Sequence, residues 1–163
     1  MTIIIDKKLL MKKIIFTFAL MASFVCVANA QVDGKAIGVR FGSGGEVSYQ
    51  HPMGDANRLE FDLGVNSWNF GLTGIYHWVF DLASVTDGLN WYIGPGVQLG
   101  TTYGTGLSNG LLLGIVGQIG VEYNFEFPLQ LSLDYRPAIY VVRPSWRGYG
   151  SYDGICLSAR YKF

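Results

Sequence analysis

The sequence predicts an all-β fold: an eight-stranded antiparallel up-and-down transmembrane β-barrel that follows a cleaved leader. Three observations lead there. Apolar and polar residues alternate along most of the chain, turn-forming residues separate the alternating runs, and only 15% of residues are charged against 50% hydrophobic. A period of two sets successive side chains on opposite faces of a strand. Roughly a quarter of a soluble chain is charged, so this one is short of charge for a wetted exterior. Its 12 Lys and Arg balance 12 Asp and Glu, which leaves no basic footprint for nucleic acid. The apolar content is also too high for a disordered chain.

Residues 1–30 read as a secretory signal peptide. Lys12 and Lys13 precede a fourteen-residue apolar run from Ile14 to Val27, and Ala28-Asn29-Ala30 places small residues before a cut after Ala30. That run is too short to span a bilayer as a helix. Met11 is a possible true start, because Met11 to Ala30 forms a complete signal by itself. Cys26 follows Val25 rather than a small residue, so the pattern for lipid attachment is not met. The barrel domain, 31–163, then carries 8 basic and 11 acidic residues, net −3, with all 22 glycines and a single cysteine, Cys156. One thiol forms no internal disulfide, so packing or a membrane has to stabilise the domain.

Eight runs follow in order. The first, 35 to 42, sets Ile37, Val39 and Phe41 against Gly38 and Arg40. Gly42-Ser43-Gly44-Gly45 turns it into the second, 45 to 51, where Val47 and Tyr49 oppose Glu46 and Ser48. His51-Pro52-Met53-Gly54-Asp55 leads to the third, 57 to 67, in which Leu59, Phe61, Leu63 and Val65 alternate with Arg58, Glu60, Asp62, Gly64 and Asn66. The fourth, 70 to 80, sets Leu72, Tyr76 and Trp78 against Gly71, Thr73 and His77, and ends towards Thr86-Asp87-Gly88. In the fifth, 89 to 102, Trp91, Ile93, Val97 and Leu99 oppose Gly94, Gly96 and Gln98. After Gly104-Thr105-Gly106 and Ser108-Asn109-Gly110, the sixth, 110 to 124, sets Leu113, Ile115, Ile119 and Val121 against Gly114, Gln118, Gly120 and Glu122. The seventh, 128 to 142, carries Leu129, Leu131, Leu133, Tyr135 and Ile139 against Gln130, Ser132, Asp134 and Arg136. The eighth, 154 to 163, sets Leu157, Tyr161 and Phe163 against Cys156, Ser158, Arg160 and Lys162. Gly, Pro, Asn and Asp in the connections are hairpin punctuation.

Alternation alone allows the apolar face to line a soluble ligand-binding barrel or to face lipid. Composition decides. After residue 30 only Lys35 and Lys162 remain among the lysines, and the polar face is crowded with glycine. Glycine on a wetted strand face weakens the strand, whereas inside an eight-stranded barrel it leaves room for neighbouring side chains. Aromatics gather near the strand ends: Tyr49, Trp78, Phe80, Trp91, Tyr123, Phe125, Phe127, Tyr161 and Phe163 at one rim, Phe41, Trp68, Phe70, Tyr103 and Tyr140 towards the other. They are candidate interfacial girdles. The last strand ends with Ile155, Leu157, Ala159, Tyr161 and Phe163 in one phase, which resembles the terminal signal read by the outer-membrane barrel assembly machinery, with Tyr161 and Phe163 as its carriers.

Together, the leader, the eight alternating strands, the girdles and the terminal Phe163 make the chain similar to the small OmpA/OmpX-type outer-membrane β-barrel superfamily of Gram-negative bacteria. The likeness covers the whole of 31–163 through pattern rather than motif. It implies a monomer with both termini in the periplasm, periplasmic turns after the second, fourth and sixth strands, and longer loops outside. The first outer connection, Gly42 to Gly45, is shorter than the superfamily usually has.

The inward phase predicts a lumenal ion-pair network of Arg40, Arg58, Arg136, Arg160 and Lys162 against Glu46, Glu60, Asp62, Glu122 and Asp134. Buried charges persist only when paired, so five cations with five anions point to a sealed interior rather than a pore lined by one sign. The primary expectation is a non-enzymatic protein of envelope structure or surface interaction, with no catalytic residue, cofactor or metal. Two alternatives accompany it. Pro95 and Pro137 lie on the apolar phase, where each removes a ladder donor; they predict local bulges or, more sharply, a lateral gap beside the sixth strand through which a narrow carrier would release small apolar solutes. A lipid A-modifying enzyme would need a base such as His77 beside Ser132 and Asp62 or Asp134, and no His-x-Ser arrangement occurs. The longest outer connection holds Arg143, Trp146, Arg147, Tyr149 and Tyr152, types suited to surface partners or to outer-membrane lipids and lipopolysaccharide.

Overall fold

The computed structural model describes residues 32, 34–65, 69–102, 110–142 and 154–163. Among these residues, nine strands form one antiparallel sheet: β1 (Ala36–Phe41), β2 (Gly45–Pro52), β3 (Asn57–Val65), β4 (Asn69–Asp81), β5 (Leu89–Thr102), β6 (Gly110–Asn124), β7 (Leu129–Arg136), β8 (Ala138–Val142) and β9 (Gly154–Lys162). No helix occurs among the described residues. Strands β1 to β6 each pair with the next in sequence, β8 also lies along β6, and β9 pairs with β7 and β1, so the sheet closes on itself as an eight-stranded barrel.

The ninth strand arises at Pro137. The predicted run 128 to 142 breaks there into β7, which pairs with β6 and β9, and β8, which pairs with β6 through a register shift at Leu113/Gly114. A ring nitrogen without a hydrogen cannot join a ladder. The backbone N–H of Gly117 bridges the break by donating to the Pro137 carbonyl at 3.0 Å. On the other side, Pro95 stays in register with Gly117, while the β4–β5 ladder skips Tyr76 and His77. Gly94 lies so close to the Tyr76 carbonyl that a Cβ would collide with it. The β5–β6 ladder thus runs unbroken past Pro95, and the interruption beside the sixth strand falls on the Pro137 side, at Gly117 and Gln118. Pro95, Gly117 and Pro137 border an apolar groove of about 400 Å³ between Trp78, Ile93 and Ile119, which the inward residues Val116 and Gln118 also line.

The register sets the polarity of the two faces. Val47 pairs with Leu63, and Leu63 with Leu72; Leu72 pairs with Leu99, and Leu99 with Leu113, all pointing outward. Ile115, Ile139 and Leu157 are exposed, at 58%, 74% and 57%. The alternate phase is buried and largely polar, from Arg40 on β1 to Arg160 on β9. Ile75, Val79, Tyr92, Leu112 and Val116 are also inward, so β4, β5 and β6 carry apolar residues on both faces.

The two ends differ in construction. One gathers Val32, Phe163 and the turns at 53–56, 82–88 and 125–128, as the alternation predicted. Lys35 and Phe163 exchange backbone hydrogen bonds of 3.1 and 2.9 Å, Val79 N–H donates to the Ala56 carbonyl at 2.8 Å, and Asn124 N–H donates to Gly88 at 2.8 Å. Gly88 takes φ +82° in that last turn, a conformation side chains with a Cβ rarely adopt. The aromatic rim assembles here: Phe80 stacks on Trp91 at 4.5 Å between centroids, and Phe125 lies 4.7 Å from Tyr123 and 5.0 Å from Phe127. At the opposite end, the Gly42–Gly44 turn joins the short strands β1 and β2, of 6 and 8 residues, whereas β4, β5 and β6 run 13, 14 and 15 residues. The wall is therefore lopsided, as the run lengths predict.

Candidate functional site

The interior is an ion-pair network assembled from six strands. Arg40 of β1 pairs with Glu46 across the β1–β2 hairpin and with Asp134 of β7, a residue 94 positions away in sequence. Glu46 also accepts from Arg136 Nη1 at 3.1 Å, and Arg136 Nη2 pairs with Asp62. The guanidinium of Arg136 completes its plane by donating from Nε to Gln118 Oε1 at 3.3 Å. Arg160 of β9 reaches Glu60 at 3.1 Å, Ser48 Oγ at 2.9 Å and Ser132 Oγ at 2.8 Å. Glu60 receives the amides of Gln50 at 2.6 Å and Gln118 at 3.2 Å.

A second centre is built around Arg58. It pairs with Glu122 at 2.6 Å and sits 4.7 Å from the ring centroid of Tyr92. Its Nε donates to His77 Nδ1 at 3.4 Å. Tyr92 spans the two centres, its ring tilted by 49° against His77 at 4.7 Å between centroids and its hydroxyl donating to Asp134 at 3.2 Å. Gly120 makes that span possible. A Cβ there would stand 2.6 Å from Tyr92 Cζ and 2.7 Å from Asp134 Cβ.

Arg40, Arg58, Arg136 and Arg160 are each at most 2% exposed, and Glu46, Glu60, Asp62, Glu122 and Asp134 are buried with them. Such ions are tolerated in a dry interior only with good geometry and further hydrogen bonds, and eight of these nine make several polar contacts. The exception is Asp62, whose Oδ1 has no hydrogen-bond partner. Both amide atoms of Gln98, 1% exposed, also lack one.

Lys162 corrects the expected network. Its ammonium donates to the Phe125 carbonyl at 3.3 Å on the turn end and makes no ion pair among the described residues. The reason is positional: Lys162 pairs with Ala36 at the start of β1, at the rim. The interior thus holds four guanidiniums against five carboxylates. Tyr161 and Phe163 are exposed on the outer wall at the same rim. Arg143, Trp146, Arg147, Tyr149 and Tyr152 lie outside the described residues.

Reading polarity rather than phase conceals one member of the site. Tyr92 looks like a girdle residue between Trp91 and Ile93, yet those two point outward, so parity alone places Tyr92 inside. His77 meets Arg58 and, at 4.0 Å, Glu60, while Ser132 is taken by Arg160. Among the described residues no three His, Cys, Asp or Glu are grouped to hold a metal.

The class defined by fold and interior is a closed eight-stranded antiparallel β-barrel of inverted polarity, charged within and apolar without. No protein-family model and no curated protein matches the chain.

Proposed function

We propose that the chain is a monomeric outer-membrane β-barrel protein of a Gram-negative bacterium, exported by the leader cut after Ala30, with a non-enzymatic role in envelope structure or surface interaction. The observation that carries this reading is the polarity of the wall. A soluble monomer rarely exposes apolar patches larger than a few hundred Å². Here Ile37, Val39, Phe61, Leu63, Leu72, Val97, Leu99, Ile115, Ile119, Leu131 and Leu133 are all exposed on the outer face of one closed sheet. Closure satisfies the backbone without water, as the hydrocarbon of a bilayer requires. The aromatic rim at the turn end supports an interfacial position there.

The interior supports a structural role over transport. Four buried arginines reach across the lumen to carboxylates on other strands, so opening a path would require these buried pairs to separate. The engagement of Ser132 Oγ by Arg160 and of His77 Nδ1 by Arg58 supports the non-enzymatic reading. In this account outer-membrane lipids and lipopolysaccharide surround the wall, the barrel assembly machinery reads the strand ending in Tyr161 and Phe163, and the superfamily resembled is the OmpA/OmpX type. Expression in a Gram-negative host tests it. The expected protein begins at Gln31, fractionates with the outer membrane and migrates differently on gels before and after boiling. A water-soluble product without heat-modifiable mobility overturns the reading.

A further inference from the structure

Val32 lies at the turn end of the barrel. Val32 packs against Val79 and Tyr92, inward residues exposed by only 1% and 0%. Its backbone N–H donates to the Asp55 carbonyl in the β2–β3 turn at 2.7 Å, which ties this residue to the turn end. Val32 lines a cavity of about 10 Å³ together with Gly34, Arg58, Asn90, Glu122 and Gln130. A cavity of that size holds about one water molecule. The lining is polar: Asn90 and Asn124 each donate to Glu122 at 3.4 Å, Gln130 donates to Asn124 at 3.3 Å, and Gln130 Oε1 is buried without a partner.

We propose that Val32 is a hydrophobic stopper that closes the turn-side mouth of the lumen and keeps bulk water from the Arg58–Glu122 pair. The physical argument is one of contrast. Every other described residue lining this cavity is polar, glycine or the small Ala36, so none of them repels water from the mouth. Among the described residues that line it, Val32 is the single branched apolar side chain, and it meets the apolar end of the interior, Val79 and Tyr92. An ion pair sheltered from bulk water interacts more strongly than a hydrated one, so excluding water supports the Arg58–Glu122 contact of 2.6 Å. The backbone bond to Asp55 orients the valine without using its side chain, which leaves the apolar group free to fill the opening.

The test uses the full folded barrel in detergent, with Cys156→Ser removing the native thiol and Asn90→Cys placing one in the cavity lining. A small water-soluble methanethiosulfonate reagent reports access. The expected result is slow modification with Val32 present, at least roughly tenfold faster modification in Val32→Gly, and slow modification again in Val32→Leu. Heat-modifiable mobility of each variant confirms closure of the barrel before labelling, and Val32→Leu retains the test should the glycine variant not close. Equal rates with and without the valine side chain, whether fast or slow, overturn the proposal, as does a Val32→Leu rate like that of an open mouth. The outcome is independent of where the barrel resides.

Discussion

The inner and outer faces of this barrel are made by the same strands, yet they are stabilised in opposite ways. On β3, Arg58, Glu60 and Asp62 are at most 2% exposed and tied to partners on other strands, whereas Phe61, Leu63 and Val65 between them are 43%, 38% and 63% exposed. Each inner side chain depends on particular partners; each outer one needs only a surrounding medium. Substitutions should therefore be specific and severe inside, and tolerant outside as long as the face stays apolar.

The largest expected effect comes from breaking an inner pair on one side only. Arg136→Met removes the guanidinium shared by Glu46 and Asp62 and leaves two buried carboxylates short of partners, for a loss of about 3–5 kcal/mol. Urea unfolding of the refolded barrel reads it directly. Next is Gly120→Val, whose branches enter the space of Tyr92 and Asp134, with a loss of about 1–3 kcal/mol and disturbance of the Tyr92 hydroxyl bond. Gln98→Leu reverses the sign. Both amide atoms of Gln98 are buried without partners, so an apolar side chain of similar shape should raise stability by about 1 kcal/mol in the same assay. A clear loss there would show that Gln98 has a polar role in the interior. Smallest is Lys162→Gln, within about 0.5 kcal/mol, because Lys162 sits at the rim on a carbonyl rather than on a buried carboxylate.

This contrast also explains what the sequence made legible. Strand boundaries were readable to within a few residues because alternation and turn residues agree, as for the run 89 to 102 and β5, Leu89–Thr102. Inward phase was readable for the same reason, and it located nine of the ten expected charged residues in the interior. Partners were not readable. Arg40 with Asp134 and Arg160 with Ser48 lie 94 and 112 positions apart, and only closure of the barrel brings them together. Local polarity also misled where it competed with phase. Tyr92 was hidden among outward aromatics, and Ile75, Val79, Leu112 and Val116 sit inside despite being apolar. Lys162 failed because phase says which face a residue takes but not whether it lies at the middle or the rim. At Pro137 the missing donor was legible, whereas the Gly117 bond that rejoins the strands was not, since it depends on the neighbouring strand.

The central claim, that the outer wall faces hydrocarbon while the charges face inward, is tested most directly by collision accessibility in lipid vesicles. Spin labels on Val97→Cys, Ile119→Cys and Leu133→Cys, each in a Cys156→Ser background, report from three outward positions on β5, β6 and β7. The account predicts frequent collisions with lipid-soluble oxygen and few with a water-soluble nickel chelate at all three. Nickel collisions that dominate at these positions, or a barrel that stays in solution and does not enter the vesicles, would contradict it.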